Sequence, residues 1–170
     1  MYAIVKDGAI TATASTVQKL FPNTSFPSVP NTDFLTENNV KDVVSGEQKN
    51  RVYYFVTEGN IELVDGVPTQ KYTNTAKDLA GLKTSMTNKM KYNAGQLLSR
   101  TDWMVIRKYE RDVAIPSATV TYRAAVITEC TRLESAIAGA GDVDALATVM
   151  SAQNWPVSYT HLTLPTIYSV

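Results

Sequence analysis

The chain holds one cysteine and one histidine among its 170 residues. The cysteine, Cys130, has no second thiol with which to form an internal disulfide or a Cys-based zinc cage. It fits a reducing compartment. The histidine, His161, lies in the last ten residues, so no Ser–His or Cys–His pair is available before it. No Gly-x-Ser-x-Gly elbow and no Walker or Rossmann glycine pattern occurs. Excess charge is also missing: 16 Lys plus Arg balance 16 Asp plus Glu. That balance argues against a nucleic-acid binder, which needs a basic footprint to displace phosphate counterions. It argues equally against a polybasic membrane anchor. No apolar run approaches the roughly 18 to 20 residues that span a bilayer. The opening residues, Met1 to Asp7, lack the basic-then-apolar layout of a signal peptide, so a cytoplasmic protein is expected.

What is present is an ordinary globular composition, 44% apolar and 19% charged. Two turn signals stand out in the first half. Asp7-Gly8 separates Tyr2–Val5 from Ala9–Thr13, and Asp65-Gly66 separates Ile61–Val64 from Thr69–Thr73. Asp-Gly supplies the positive-φ chemistry of tight hairpins. Val52 to Thr57, rich in aromatic and β-branched residues, reads as another strand, with Gly59-Asn60 as a turn after it. Val40 to Val44 reads as a strand as well. Ser15 is placed to cap a short helix over 16–20, and Asn31 or Thr32 a second over 33–38. Pro22, Pro27 and Pro30 mark the connection between them as an extended loop.

Near Thr75 the periodicity changes. Leu79, Leu82, Met86, Met90 and Leu97 recur at helical spacing. Thr101 or Asp102 has the chemistry of an N-cap for a separate helix from Trp103 to Asp112. Pro116 suits the first turn of the next long helix, which shows Val120, Ile127, Cys130, Leu133 and Ile137 along one face. Gly139-Ala140-Gly141 ends it, and Asp142 caps a last short helix to about Met150. The expected class is α+β. A small antiparallel β-rich part over 1–74 is followed by a helical hairpin or bundle over 75–156. Residues 157–170, VSYTHLTLPTIYSV, contain no charged side chain. They resemble translated sequencing-adapter DNA and are set aside as an artefactual tail.

Candidate chemistry is sparse. Asp142-Val143-Asp144 lacks the glycine and distant glutamate of a calcium loop, and helix capping accounts for it better. Glu110 and Asp112 sit in a run of mixed charge that reads as a solvated face. Cys130, on an apolar stripe, reads as a small buried hydrophobe. Tyr53, Tyr54 and Phe55 could stack on bases, but with only Lys49 and Arg51 beside them, packing in a strand core is the better reading. No catalytic, metal or cofactor residue is therefore assigned.

One pattern is more specific. Leu97-Leu98, then Thr101-Asp102-Trp103, then Tyr122-Arg123 and finally Trp155-Pro156 follow one another in the second half. This order resembles the phage tail assembly chaperone family, over about 75–156. The resemblance implies a non-enzymatic assembly factor. Such a factor binds a phage tail or tail-fibre protein in the host cytoplasm before assembly, with no cofactor. Trp103, Tyr122, Arg123 and Trp155 are the expected partner-binding residues. Aromatic and Arg side chains are the ones enriched at binding hot spots. A structural part of the virion tail is the first alternative, and an unrecognised enzyme or nucleic-acid module the second. The resemblance leaves open a homo-oligomer. Family members often carry a proline-rich loop after the tryptophan, whereas Met104 to Asp112 reads as helical. The same motif also has a purely architectural reading, with Trp103 anchoring a chain reversal and Tyr122 and Arg123 packing on or hydrogen-bonding to it.

Overall fold

A computed structural model describes residues 1–26 and 31–157. The expected loop prolines Pro27 and Pro30, and the tail from Ser158 onward with His161, lie outside the described residues. The architecture is α+β, as expected: small sheets in the first part and helices in the second. The chain divides into two compact units, Met1–Ala76 and Lys77–Val170.

The first unit contains two three-stranded sheets. β1 (Tyr2–Lys6) pairs antiparallel with both β2 (Ala9–Ala14) and β3 (Val40–Asp42). The β1–β2 turn places Asp7 at φ 50° and Gly8 at φ 74°, the conformation the Asp-Gly pair predicts. Two short helices lie between β2 and β3. α1 (Val17–Leu20) is capped by Thr16, whose hydroxyl accepts from the Lys19 N–H, one residue past the expected Ser15. α2 (Thr32–Glu37) is capped by Asn31. Phe34 on α2 meets Phe21 and Phe26 edge-on, at ring centroid distances of 5.1 and 5.0 Å.

The expected strand over 40–44 is divided. It leaves the first sheet after Asp42, and β4 (Val44–Ser45) joins a second sheet, parallel to β6. That sheet is dominated by a long hairpin, β5 (Tyr54–Val64) and β6 (Val67–Ala76), turned at Asp65-Gly66. Gly59-Asn60 does not turn the chain, contrary to expectation. The register passes from Glu58↔Tyr72 to Ile61↔Gln70, so these two residues bulge opposite Lys71 and β5 continues. The buried Gln70 side chain holds the bulge, its amide donating to the Gly59 carbonyl at 2.6 Å. The strand expected from Val52 begins at Tyr54, so Tyr53 is buried from the turn before it and Tyr54 from the strand, while Phe55 is 62% exposed.

The second unit is a helical hairpin with a third helix against it. α3 (Leu79–Arg111) is one continuous helix of 33 residues, capped by Asp78. Sequence reading divided it at Thr101-Asp102, which were expected to cap a new helix. Both residues lie in the helix interior, and the reversal expected at Trp103 comes after Asp112, which closes α3 in the left-handed conformation. Cap chemistry was the misleading signal. Thr101 Oγ1 bonds back to the Leu98 carbonyl at 3.0 Å, which a helix interior tolerates. α4 (Ser117–Gly139) follows Pro116, and α5 (Val143–Ser151) is capped by Asp142, whose carboxylate accepts from the Ala145 N–H at 2.7 Å.

Met86, Met90 and Ala94 are the buried residues of α3, at successive i,i+4 steps. On α4 the buried stripe is Val126, Glu129, Cys130, Leu133 and Ile137. Val120 and Ile127, expected on that stripe, are 52% and 53% exposed. Two lysines make cross-helix contacts along the antiparallel pair. Lys83 Nζ donates to the Ala138 carbonyl at 2.9 Å, and Lys91 pairs with Glu134 at 3.3 Å. Leu146 and Met150 of α5 add to the buried set.

Two glycines should respond oppositely to alanine. A Cβ at Gly46 would lie 2.5 Å from the Gln70 carbonyl oxygen, so Gly46→Ala must push β4 off β6. We expect a loss of about 2 kcal/mol in the first unit. Gly95, inside α3, meets nothing within 4 Å of an added Cβ. There Gly95→Ala should stabilise the second unit by about 1 kcal/mol. Hydrogen exchange of the β6 amides reads the first change. Tryptophan fluorescence during urea unfolding reads the second, since both tryptophans lie in the helical unit.

Candidate functional site

Most of the motif residues converge. Ala94, Val126 and Cys130 form a buried cluster between α3 and α4, and Leu97, Leu98, Tyr122 and Trp155 pack against it. The Leu-Leu pair arrives from α3, Tyr122 from α4, and Trp155 from the segment after α5. Residues 58 positions or less apart in sequence are thus gathered by the antiparallel hairpin and the return of the chain through α5.

Beside this apolar group sits a polar one centred on Arg123. Its Nη1 lies 2.9 Å from the Leu98 carbonyl, 2.7 Å from Thr101 Oγ1 and 2.8 Å from Asp102 Oδ1. The guanidinium therefore reads a carbonyl, a hydroxyl and a carboxylate on one turn of α3. All three contacts pass through the one nitrogen, Nη1. Asp102 is exposed, so this ion pair by itself contributes little; its geometry fixes the pairing of the two helices.

Trp103 is not in the cluster. It is 51% exposed, with the Arg107 guanidinium 4.7 Å above its ring. Tyr122 packs as expected, but its hydroxyl is buried with no hydrogen-bond partner among the described residues. Pro156 is half-buried next to Trp155. The remaining candidates have structural roles. Cys130 is buried, and its Sγ donates to Glu134 Oε1 at 3.3 Å. Burial first, then the Glu134 carboxylate, pushes its thiol pKa up, which suppresses the reactive thiolate. Asp112 forms an ion pair with Lys108. Among the described residues, no group of three or more His, Cys, Asp or Glu could hold a metal ion. No described helix is long and apolar enough to cross a membrane.

A second polar node escaped the sequence reading. Glu129 is only 8% exposed, yet it is ionisable and faces the core side of α4. Arg132, one turn on, grips it with two bonds of 2.7 Å each. The same carboxylate accepts the Asn154 N–H at 2.7 Å, and Arg132 donates to the Ala152 carbonyl at 2.9 Å. The pair therefore fastens the segment that carries Trp155. The signal was in the sequence. Glu129 falls at the i+3 position from Val126 and four before Leu133, a core position, with Arg132 placed to neutralise it.

Comparison with protein-family models, curated proteins and solved structures finds no match to this chain.

Two outcomes follow. Replacing Tyr122 by Phe removes a buried, unpaired hydroxyl and keeps the ring. Tyr122→Phe should be neutral or stabilise by about 1 kcal/mol in chemical denaturation. A loss of more than that would show that the hydroxyl has a partner. The Glu129 carboxyl is held below its ordinary pKa by the Arg132 bonds, against the effect of burial and with help from the Asn154 N–H. Its ionised form thus stabilises the fold at neutral pH. That contribution is lost as pH falls, from about pH 5 downward through the lower folded value. The stability gap between wild type and Glu129→Gln should be largest near neutrality and narrow in acid, as measured by urea midpoints across pH.

Proposed function

We propose that the protein is a non-enzymatic assembly factor, a chaperone for a phage tail or tail-fibre component, acting in the host cytoplasm before that component is incorporated. The motif resemblance supports this reading. The observation that supports a binding role is the far end of the helical hairpin. Trp103, Val105, Ile106 and Tyr109 on α3, with Val113 after it and Val120 on α4, are all exposed, Tyr109 to 92%. Scattered apolar residues on a surface are ordinary, but a concentration of large ones on two adjoining helix ends marks an interaction face. Its residue types, with Trp, Tyr and Arg together, are those enriched where partners anchor.

The mechanism is capture without chemistry. An exposed apolar face covers an aggregation-prone segment of an unassembled chain, and binding shifts that chain away from aggregation by mass action. The hot spot is Trp103 with Ile106 and Tyr109. Tyr122, Arg123 and Trp155 hold the hairpin that presents them.

Trp103→Ala should therefore cost about 1 kcal/mol of stability or less, the scale of an exposed cation–π contact. Co-expression with the tail-fibre protein tests the reading. The wild type should raise the soluble yield of the fibre and co-elute with it. Ile106→Asp and Tyr109→Asp should keep the helical circular dichroism and lose both effects. If these variants co-elute as well as wild type, the hairpin end is not the binding face. A protein retained in finished particles would point instead to a structural part of the tail.

A further inference from the structure

The chain beyond α5 is fastened in an unusual way. α5 ends at Ser151, and Ala152 makes its capping bond to the Val149 carbonyl. Residues 153–157 are in neither helix nor strand. Among the described residues, no bond between main-chain groups ties them to the helices. Three attachments to α4 and its cluster hold the segment: Arg132 to the Ala152 carbonyl, Glu129 to the Asn154 N–H, and the Trp155 ring against Ala94, Val126 and Cys130. The indole N–H bonds within the segment itself, to Gln153 Oε1 at 3.0 Å. Trp155 therefore brings its own polar partner and asks only an apolar seat of the hairpin.

We propose that residues 152–157 form a latch that opens as a unit while the helices stay folded, uncovering a seat for an extended, aromatic-bearing peptide segment. Two features make opening separable. Glu129 and Arg132 bond each other twice, independently of the strap, so its departure leaves no buried charge unpaired. The strap gives up the Ala152 carbonyl and Asn154 N–H bonds to α4, and at its root the Gln153 amide bond to the Met150 carbonyl at 2.7 Å and the Ala152 cap bond, all to groups that water can replace. Segments held by so few contacts open at free energies well below that of global unfolding. The vacated seat keeps a defined chemistry. It offers a carboxylate for a main-chain N–H, a guanidinium for a carbonyl two residues earlier, and the apolar cluster of Ala94, Val126 and Cys130 for a side chain. A segment with an aromatic side chain one residue after the bonded N–H would satisfy all three. The latch acts regardless of what the distal face binds.

The full chain carrying Trp103→Phe has Trp155 as its sole tryptophan. In that background Asn154→Pro removes the N–H donor and leaves α4 untouched. Acrylamide quenching of Trp155 should rise several-fold with helical circular dichroism unchanged. A labelled peptide of residues 152–157 should bind this variant at least tenfold more tightly than it binds the latched parent, because the parent's own strap competes. Trp155 as shielded in the variant as in the parent, or equal peptide binding to both, would overturn the proposal. Should the variant fail to fold, hydrogen exchange on the unmodified chain decides. The Asn154 amide should exchange faster than those of Val126 to Leu133, by a route insensitive to low urea. Equal protection, lost in one step, means the strap is simply part of the core.

Discussion

A helix of 33 residues in water depends on what covers its apolar stripe. On α3 that stripe is Met86, Met90 and Ala94, continued by the half-buried Leu97 and Leu98, and α4 covers it with Val126, Cys130, Leu133 and Ile137. Burial of each large side chain contributes roughly 1.5 to 3 kcal/mol, but burial alone does not choose a register. The polar contacts make that choice. Lys83 at one end, Lys91 in the middle and Arg123 at the other have partners at a single register only. The motif resemblance draws on the same positions. Its Leu-Leu, Thr-Asp and Tyr-Arg elements meet where α3 and α4 are locked together.

How far the sequence disclosed this depends on the range of the interaction. Turns set by local φ were legible: both Asp-Gly pairs turn hairpins, and Asp142 caps α5. Capping chemistry misled where tertiary contacts override it. Thr101 and Asp102 have the side chains of helix starts. Yet they serve as acceptors for Arg123 from another helix, 22 and 21 residues later in the chain. No local rule distinguishes the two uses. Gly59-Asn60 is the same case in a strand. The pair reads as a turn until Gln70, on the partner strand, is seen to hold it as a bulge. The α4 stripe was misread by treating every apolar residue as inward. Val120 and Ile127 face out, while the carboxylate of Glu129 takes a core position because Arg132 and the Asn154 N–H satisfy it.

Trp103 and Trp155 carry the same side chain in opposite circumstances. Both belong to the motif, and both were expected to bind a partner. Trp155 has its apolar surface against the Ala94–Val126–Cys130 cluster and its N–H satisfied within its own segment. Trp103 has one face against Arg107 and about half its area in water. A large aromatic side chain left in water gains nothing for the isolated fold, and a helix surface has many residues of better solubility to offer. Its neighbours Ile106 and Tyr109 are exposed as well, Tyr109 more fully, so the apolar character is not that of one residue. The motif thus divides physically. Leu97, Leu98, Tyr122, Arg123 and Trp155 build and lock the hairpin, and Trp103 belongs to what the hairpin displays. The proposed assembly role would draw on both halves: a rigid support whose order is set before a partner arrives, and an anchor whose burial is completed only by that partner.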